Sequence, residues 1–100
     1  MLIVAGYISV DPADLDQFHN DLNALSVATR KRIGNISYNA AIDEPGAGRL
    51  LVLERWANDG ALRAHPDAAD TISFVDRWSG RMRSDIRIYD TSNERALTEL

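Results

Sequence analysis

One hundred residues are enough for a single hydrophobic core and too few for two domains. Apolar residues make up 45% and charged residues 26%, the balance of a folded globular chain and not of a disordered one. Eleven Lys plus Arg against 15 Asp plus Glu leave a net charge of -4, so no basic surface is available for a phosphate backbone and nucleic acid is not an expected partner. Cysteine is absent, which removes disulfides, thiolate nucleophiles, iron-sulfur clusters and cysteine-held zinc, and fits a reducing cytosol.

The segment from Leu2 to Val10 is rich in β-branched and aromatic residues. It is apolar at both parities, with Ile3, Ala5 and Tyr7 on one and Leu2, Val4, Ile8 and Val10 on the other, which predicts a strand covered on both faces. It carries no basic leader and meets Asp11-Pro12 before a membrane could be spanned, so a cytoplasmic protein with no membrane partner is expected. Asp11 offers a side-chain acceptor and Pro12 suits a first helical turn. Leu15, Phe18, Leu22 and Leu25 follow at helical spacing, predicting an amphipathic helix over about residues 12–31. Gly34-Asn35 ends it, and Ile36 to Ile42 alternates with Ile36, Tyr38, Ala40 and Ile42 on one face of a strand.

Asp43 to Gly48 is dense in turn residues, and Leu50 to Trp56 is again apolar at both parities over its first half, completing a hairpin with a long loop. Asn58-Asp59 caps a short helix through Ala61, Leu62 and His65 that Pro66 breaks. A further helix runs from about Asp70 through Ile72, Phe74, Val75 and Trp78 to Gly80. Ser84 to Asp90 alternates Ile86 and Ile88 against Asp85, Arg87 and Tyr89 as a fourth strand. Residues 1–90 are then the domain, and 91–100 a polar tail with Leu97 and Leu100, loose or held by a partner.

The order β-α-β-β-α-β is that of an α+β, ferredoxin-like fold, whose first and third strands lie at the centre of an antiparallel sheet. Here those are the two strands apolar at both parities. Two helices cover only one face of such a sheet, and a second copy is the simplest cover for the other, because two-fold homodimers are the commonest soluble oligomers.

Three segments carry a family likeness: Ala28-Thr29-Arg30, Gly34-Asn35-Ile36-Ser37-Tyr38, and the run from Glu54-Arg55-Trp56 through Asn58-Asp59-Gly60-Ala61-Leu62 to His65. Together they resemble the antibiotic biosynthesis monooxygenase family, which includes quinol monooxygenases and polyketide-tailoring oxygenases. The resemblance implies a dimeric α+β barrel with the sheets of two protomers face to face, and a pocket between each sheet and its own helices. It also implies monooxygenation of a small aromatic substrate with dioxygen and without flavin, haem or metal. A deprotonated polyphenol is electron-rich enough to reduce dioxygen itself, leaving the protein to supply a proton acceptor, an oxyanion donor and an enclosure. The chain departs from the family pattern where relatives often place a Glu and a second His; it has Arg32-Ile33 and Asp70 there. Haem-degrading members rely on an Asn in the first strand, which here offers Gly6, Tyr7 and Ser9, so haem cleavage is not expected.

Among candidate site residues His65 leads as the catalytic group, because an imidazole with a pKa of about 6.5 can take a phenolic proton near neutral pH. A His at a helix end can also serve the carbonyls and dipole alone. His19 lies at the flank of the first helix's apolar stripe, and two histidines so far apart with no clustered carboxylate make no metal site. Trp56 is a candidate substrate-binding residue through its ring and indole N–H, with packing as the alternative. Glu54 shares its strand face and needs a partner, for which a neighbouring Arg is expected. Tyr7, Tyr38 and Asn39 offer phenol and amide groups to the pocket, their direction depending on strand register. Phe74 and Trp78, spaced i, i+4, are candidates to line an apolar cavity or to fill the core. Arg77, Arg81, Arg83 and Arg87 are expected to form salt bridges. A non-catalytic small-molecule-binding dimer and a cofactor-free isomerase are the alternatives to a monooxygenase on this fold.

Overall fold

The computed structural model describes residues 1–100. β1 (Leu2–Val10) leads through a 3-10 turn (Pro12–Asp14) into α1 (Leu15–Thr29), followed by β2 (Asn35–Glu44) and β3 (Arg49–Trp56). Then come α2 (Asp59–Ala64), α3 (Ala69–Trp78), β4 (Met82–Asp90) and a last 3-10 turn (Leu97–Glu99). The four strands form one sheet in the order β2-β3-β1-β4, antiparallel throughout, which is the ferredoxin-like plan with β1 and β3 central.

Local chemistry explains the breaks. Asp11 accepts from the Ala13 N–H at 2.9 Å, and Pro12 takes a position that needs no N–H, so the predicted helix opens as a separate 3-10 turn. The Asn58 side chain accepts from the Ala61 N–H at 2.8 Å and starts α2, and Pro66 follows its last turn. β2 departs from simple alternation at its start. Asn35 faces Trp56 and Ser37 faces Arg55, so Ile36 is the extra residue of a bulge and lies half-exposed, off the face it was expected to share with Tyr38.

The helices cover one face of the sheet only. Ile8, Val10, Leu50 and Val52 meet Leu15, Phe18, Leu22 and Leu25 of α1 and Trp78 of α3 in the main core. A smaller cluster of Leu2, Val4 and Trp56, with Ala61 and Leu62 of α2 against it, fills the other end. The opposite parity of the central strands is uncovered within this chain: Tyr7 is 43%, Leu51 42% and Leu53 44% exposed. Beyond β4, the Thr91 side chain and N–H both donate to the Met1 carbonyl, at 2.8 and 3.1 Å. No helix is long and apolar enough to cross a membrane.

Candidate functional site

The smaller of the two clusters is where polar chemistry gathers. Gly34 sets its frame: its φ of +85° suits glycine, and an added Cβ would come within 2.4 Å of the Ala61 Cβ. The Gly34 carbonyl accepts from the Ala57 N–H at 2.8 Å, so the turn after α1 is tied to the end of β3 and packed against α2. That ties together the Gly-Asn-Ile turn and the Trp-Ala-Asn-Asp-Gly-Ala-Leu run, two of the three segments of the family likeness. It also delivers His65, one residue past α2, to the end of the sheet.

His65 packs against two aromatic rings, with centroids 5.2 Å from Trp56 and 5.8 Å from Tyr38. Its Nδ1 faces the Arg32 guanidinium, which donates to it, and lies 3.4 Å from the Thr71 hydroxyl. Burial, and then the positive charge of Arg32, lower the His65 pKa to about 4 against the pull of Asp70, so the ring is neutral at neutral pH. Arg32 is held on several sides. It pairs with Asp70, donates to Thr71 Oγ1 at 3.2 Å and approaches Thr29 Oγ1 at 3.3 Å. Arg32 and Asp70, two of the positions read from the sequence as departures from the family pattern, therefore meet as an ion pair beside His65.

Glu54 is the second polar group of the site and is 6% exposed. Its strand period puts it on the same face as Trp56, whose indole Nε1 donates to Glu54 Oε1 at 2.9 Å. The partner expected was an Arg; the structure supplies the indole, because Arg55, the nearest basic residue in the strand, points to the opposite face and donates to Ser37 at 2.9 Å. With no cation beside it, burial raises the Glu54 pKa to about 7, and the Trp56 hydrogen bond offsets only part of that rise. Tyr38 faces Glu54 across the β2–β3 pair, and burial, then the Glu54 charge, raise its pKa, so it remains a neutral phenol.

A cleft of about 400 Å³ opens beside Glu54 and His65, with Trp56 and Tyr38 packed behind them and not in its lining. Val4, Leu62, Pro66, Ile86 and Ile88 form its apolar wall, Glu54 and His65 are its polar points, and the Asp59–Arg63 ion pair lies at the rim. An apolar enclosure with one ionisable carboxyl and one neutral imidazole can hold a flat aromatic molecule and exchange a single proton with it. No three His, Asp or Glu side chains converge as a metal ion would need.

Of the residues read from the sequence, the structure brings His65, Trp56 and Tyr38 together. It does not bring in the others. Tyr7 pairs with Leu51 and Asn39 with Leu53 on the uncovered face, the sheet thickness away from His65. Trp78 is buried against Phe18 at 4.9 Å and Phe74 at 5.4 Å from the same ring, in the main core. Phe74 also borders a separate cavity of about 370 Å³ between α1 and α3. Glu54 as the free carboxyl, and the Arg32–Asp70 pair, are the parts of the site the sequence reading did not assign. The signal for Glu54 was its parity with buried Val52 and Trp56.

The chain belongs to the antibiotic biosynthesis monooxygenase family, whose model matches residues 1–78. It is 25% identical over 75 residues to "Putative monooxygenase YcnE" of Bacillus subtilis (strain 168), an overlap of 75% of this chain and 79% of that protein. Among solved structures it is similar to a "putative antibiotic biosynthesis monooxygenase" from Deinococcus radiodurans, with a TM-score of 0.87, 22% identity and coverage of 97% of this chain and 98% of that one. A second such structure, from Nitrosomonas europaea, gives a TM-score of 0.81 at 19% identity over 91% of this chain and 98% of that one. The structural likenesses show the fold; family and relative together support a monooxygenase-like role.

Proposed function

We propose that this protein is a cofactor-independent monooxygenase that takes a quinol or polycyclic phenol and dioxygen, with Glu54 as the proton acceptor and His65 as a hydrogen-bond donor. The observation that carries the reading is a carboxyl without a cation, its pKa raised to about 7, at the wall of an apolar cleft. Glu54 Oε1 is occupied by Trp56, which leaves Oε2 for a substrate hydroxyl. Transfer of the phenolic proton to Oε2 leaves an electron-rich phenolate in a site with little water, where electron transfer to dioxygen is favoured. One oxygen atom enters the ring and the other leaves as water. All four electrons come from the substrate, which loses two hydrogens overall, and the proton held on Glu54 returns to the departing hydroxide. Negative charge that develops on oxygen during these steps is met by an N–H of the neutral imidazole.

The reading includes a homodimer joined through the open sheet faces, supported by the exposure of Tyr7, Leu51 and Leu53 on a chain of this size. The test is oxygen uptake by metal-stripped protein with reduced naphthoquinols and anthrone-like phenols, autoxidation subtracted, wild type beside Glu54→Gln. Uptake with stoichiometric oxygenated product, lost in the variant, is the expected result. No uptake above background across the panel overturns the enzyme reading in favour of a small-molecule-binding protein on the same cleft.

A further inference from the structure

We propose that Arg32, anchored by Asp70, is a positioning residue that locks His65 as its Nε2–H tautomer, so that the imidazole meets a ligand only as a donor and the cleft takes a molecule presenting an anionic or carbonyl oxygen there. A guanidinium carries N–H donors and no acceptor, so the nitrogen it faces, His65 Nδ1, must offer a lone pair. A neutral imidazole with its lone pair on Nδ1 bears its proton on Nε2. The Nε2 atom has no partner within the protein, and His65 borders the cleft.

The lock is stiff at both ends. The Asp70 carboxylate takes Arg32 and also the Thr71 N–H at 2.9 Å, at the start of α3. The Thr29 and Thr71 hydroxyls, 3.3 and 3.2 Å from the same guanidinium nitrogen, leave Arg32 little room to turn. The rings of Trp56 and Tyr38, packed against the imidazole, hinder its rotation. The proton-accepting role that an isolated His65 invites is thereby closed: to accept at Nε2 the ring would carry a proton on Nδ1, pointing at a donor. The division of labour in the cleft follows, with the lone pair on Glu54 and the N–H on His65.

The tautomer half of this proposal is independent of any reaction; the ligand half rests on the monooxygenase reading. Two-bond proton–nitrogen correlation spectra of uniformly 15N-labelled protein at pH 7 read the tautomer directly, with His19, the only other histidine, identified by His19→Gln. The expected pattern for His65 is a protonated Nε2 and a bare Nδ1. A protonated Nδ1, or an averaged mixture, in wild type overturns the proposal with no variant needed. Arg32→Met removes the guanidinium and leaves the Asp70 charge without its cation and the Thr71 hydroxyl free to accept, so His65 is expected to gain a proton on Nδ1, while Arg32→Lys keeps a cationic donor and the Nε2–H form. An unchanged tautomer in Arg32→Met removes Arg32 from the role. In oxygen uptake with a reduced naphthoquinol, Arg32→Met is expected to lower kcat by about 10²-fold with Arg32→Lys recovering most of it. The locked tautomer without any uptake retains the lock and rejects the monooxygenase reading; uptake with the wrong tautomer does the reverse.

Discussion

The same hydrogen bond occurs twice in this protein. Trp78 Nε1 donates to Asp21 and Trp56 Nε1 donates to Glu54, each at 2.9 Å, and both indoles are wholly buried. The surroundings differ. Asp21 also has Arg77 at 3.3 Å and the Gln17 amide at 2.8 Å, so its charge is balanced and its oxygens are taken. Glu54 has the indole alone, and burial drives its pKa to about 7. A tryptophan–carboxylate pair is thus a charge-balanced clasp when a cation completes it, and a carboxyl of raised pKa when it is buried with the indole alone at the wall of an apolar cleft; the proton-exchanging role belongs to the function proposed above.

The largest break in that comparison is expected from the two carboxyls themselves. Glu54→Gln keeps the shape and removes the base, and should lower kcat by about 10²–10⁴-fold. Asp21→Asn should leave kcat/KM unchanged and lower the denaturant midpoint, costing about 1–2 kcal/mol through the lost charged hydrogen bonds. Oxygen-uptake kinetics and urea unfolding on the same two variants separate the roles; equal losses of activity would erase the distinction.

His65→Ala removes the donor and should cost about 10²–10³-fold in kcat while leaving the pH midpoint of activity unmoved, since His65 is already neutral above about 4. A midpoint that disappears in this variant would return the base role to the imidazole.

The pH dependence sharpens the picture further. Activity should rise with pH through about 7 as Glu54 ionises. Stability should move the other way for this group: its folded pKa lies above its unfolded one, so its contribution is complete below the ordinary carboxylate range and is lost as pH rises through about 7. His65 has the opposite sign. Its folded pKa of about 4 lies below the unfolded value, so its contribution is present above about 6.5 and is lost as pH falls towards 4. Urea titrations between pH 4 and 8 should show both slopes, the first absent in Glu54→Gln and the second in His65→Ala.

On activity, the smallest effects come from the indoles. Trp56→Phe takes away the hydrogen bond that restrains the rise of the Glu54 pKa, so the activity midpoint should move to higher pH. Trp78→Phe should leave that midpoint in place and cost about 2 kcal/mol of stability. Rate profiles against pH for the two variants, with unfolding curves, decide the matter.

Parity and punctuation in the chain were sufficient for the element order, for β1 and β3 at the centre of the sheet, and for the family likeness carried by Gly34, Trp56, Ala61 and His65. These depend on local periodicity and on residues whose backbone demands are their own, such as Gly34 at positive φ or Pro66 after α2. The direction of Tyr7 and Asn39, away from the helices, was decided by strand register, which a single chain does not specify until the sheet is assembled. Phe74 and Trp78 had the spacing of a cavity wall, yet packing against Phe18 put Trp78 in the core and left Phe74 at a separate cavity between α1 and α3, away from His65. The chemistry of the site was decided last of all. Arg32 and Asp70 lie 38 residues apart and Arg32 and His65 lie 33 apart, so only the packing of α2 and α3 against the turn after α1 brings the guanidinium to the imidazole. Glu54 was legible as a residue on the buried face, but its pKa depends on which charges are absent around it. That is a property of the folded environment and of no sequence pattern.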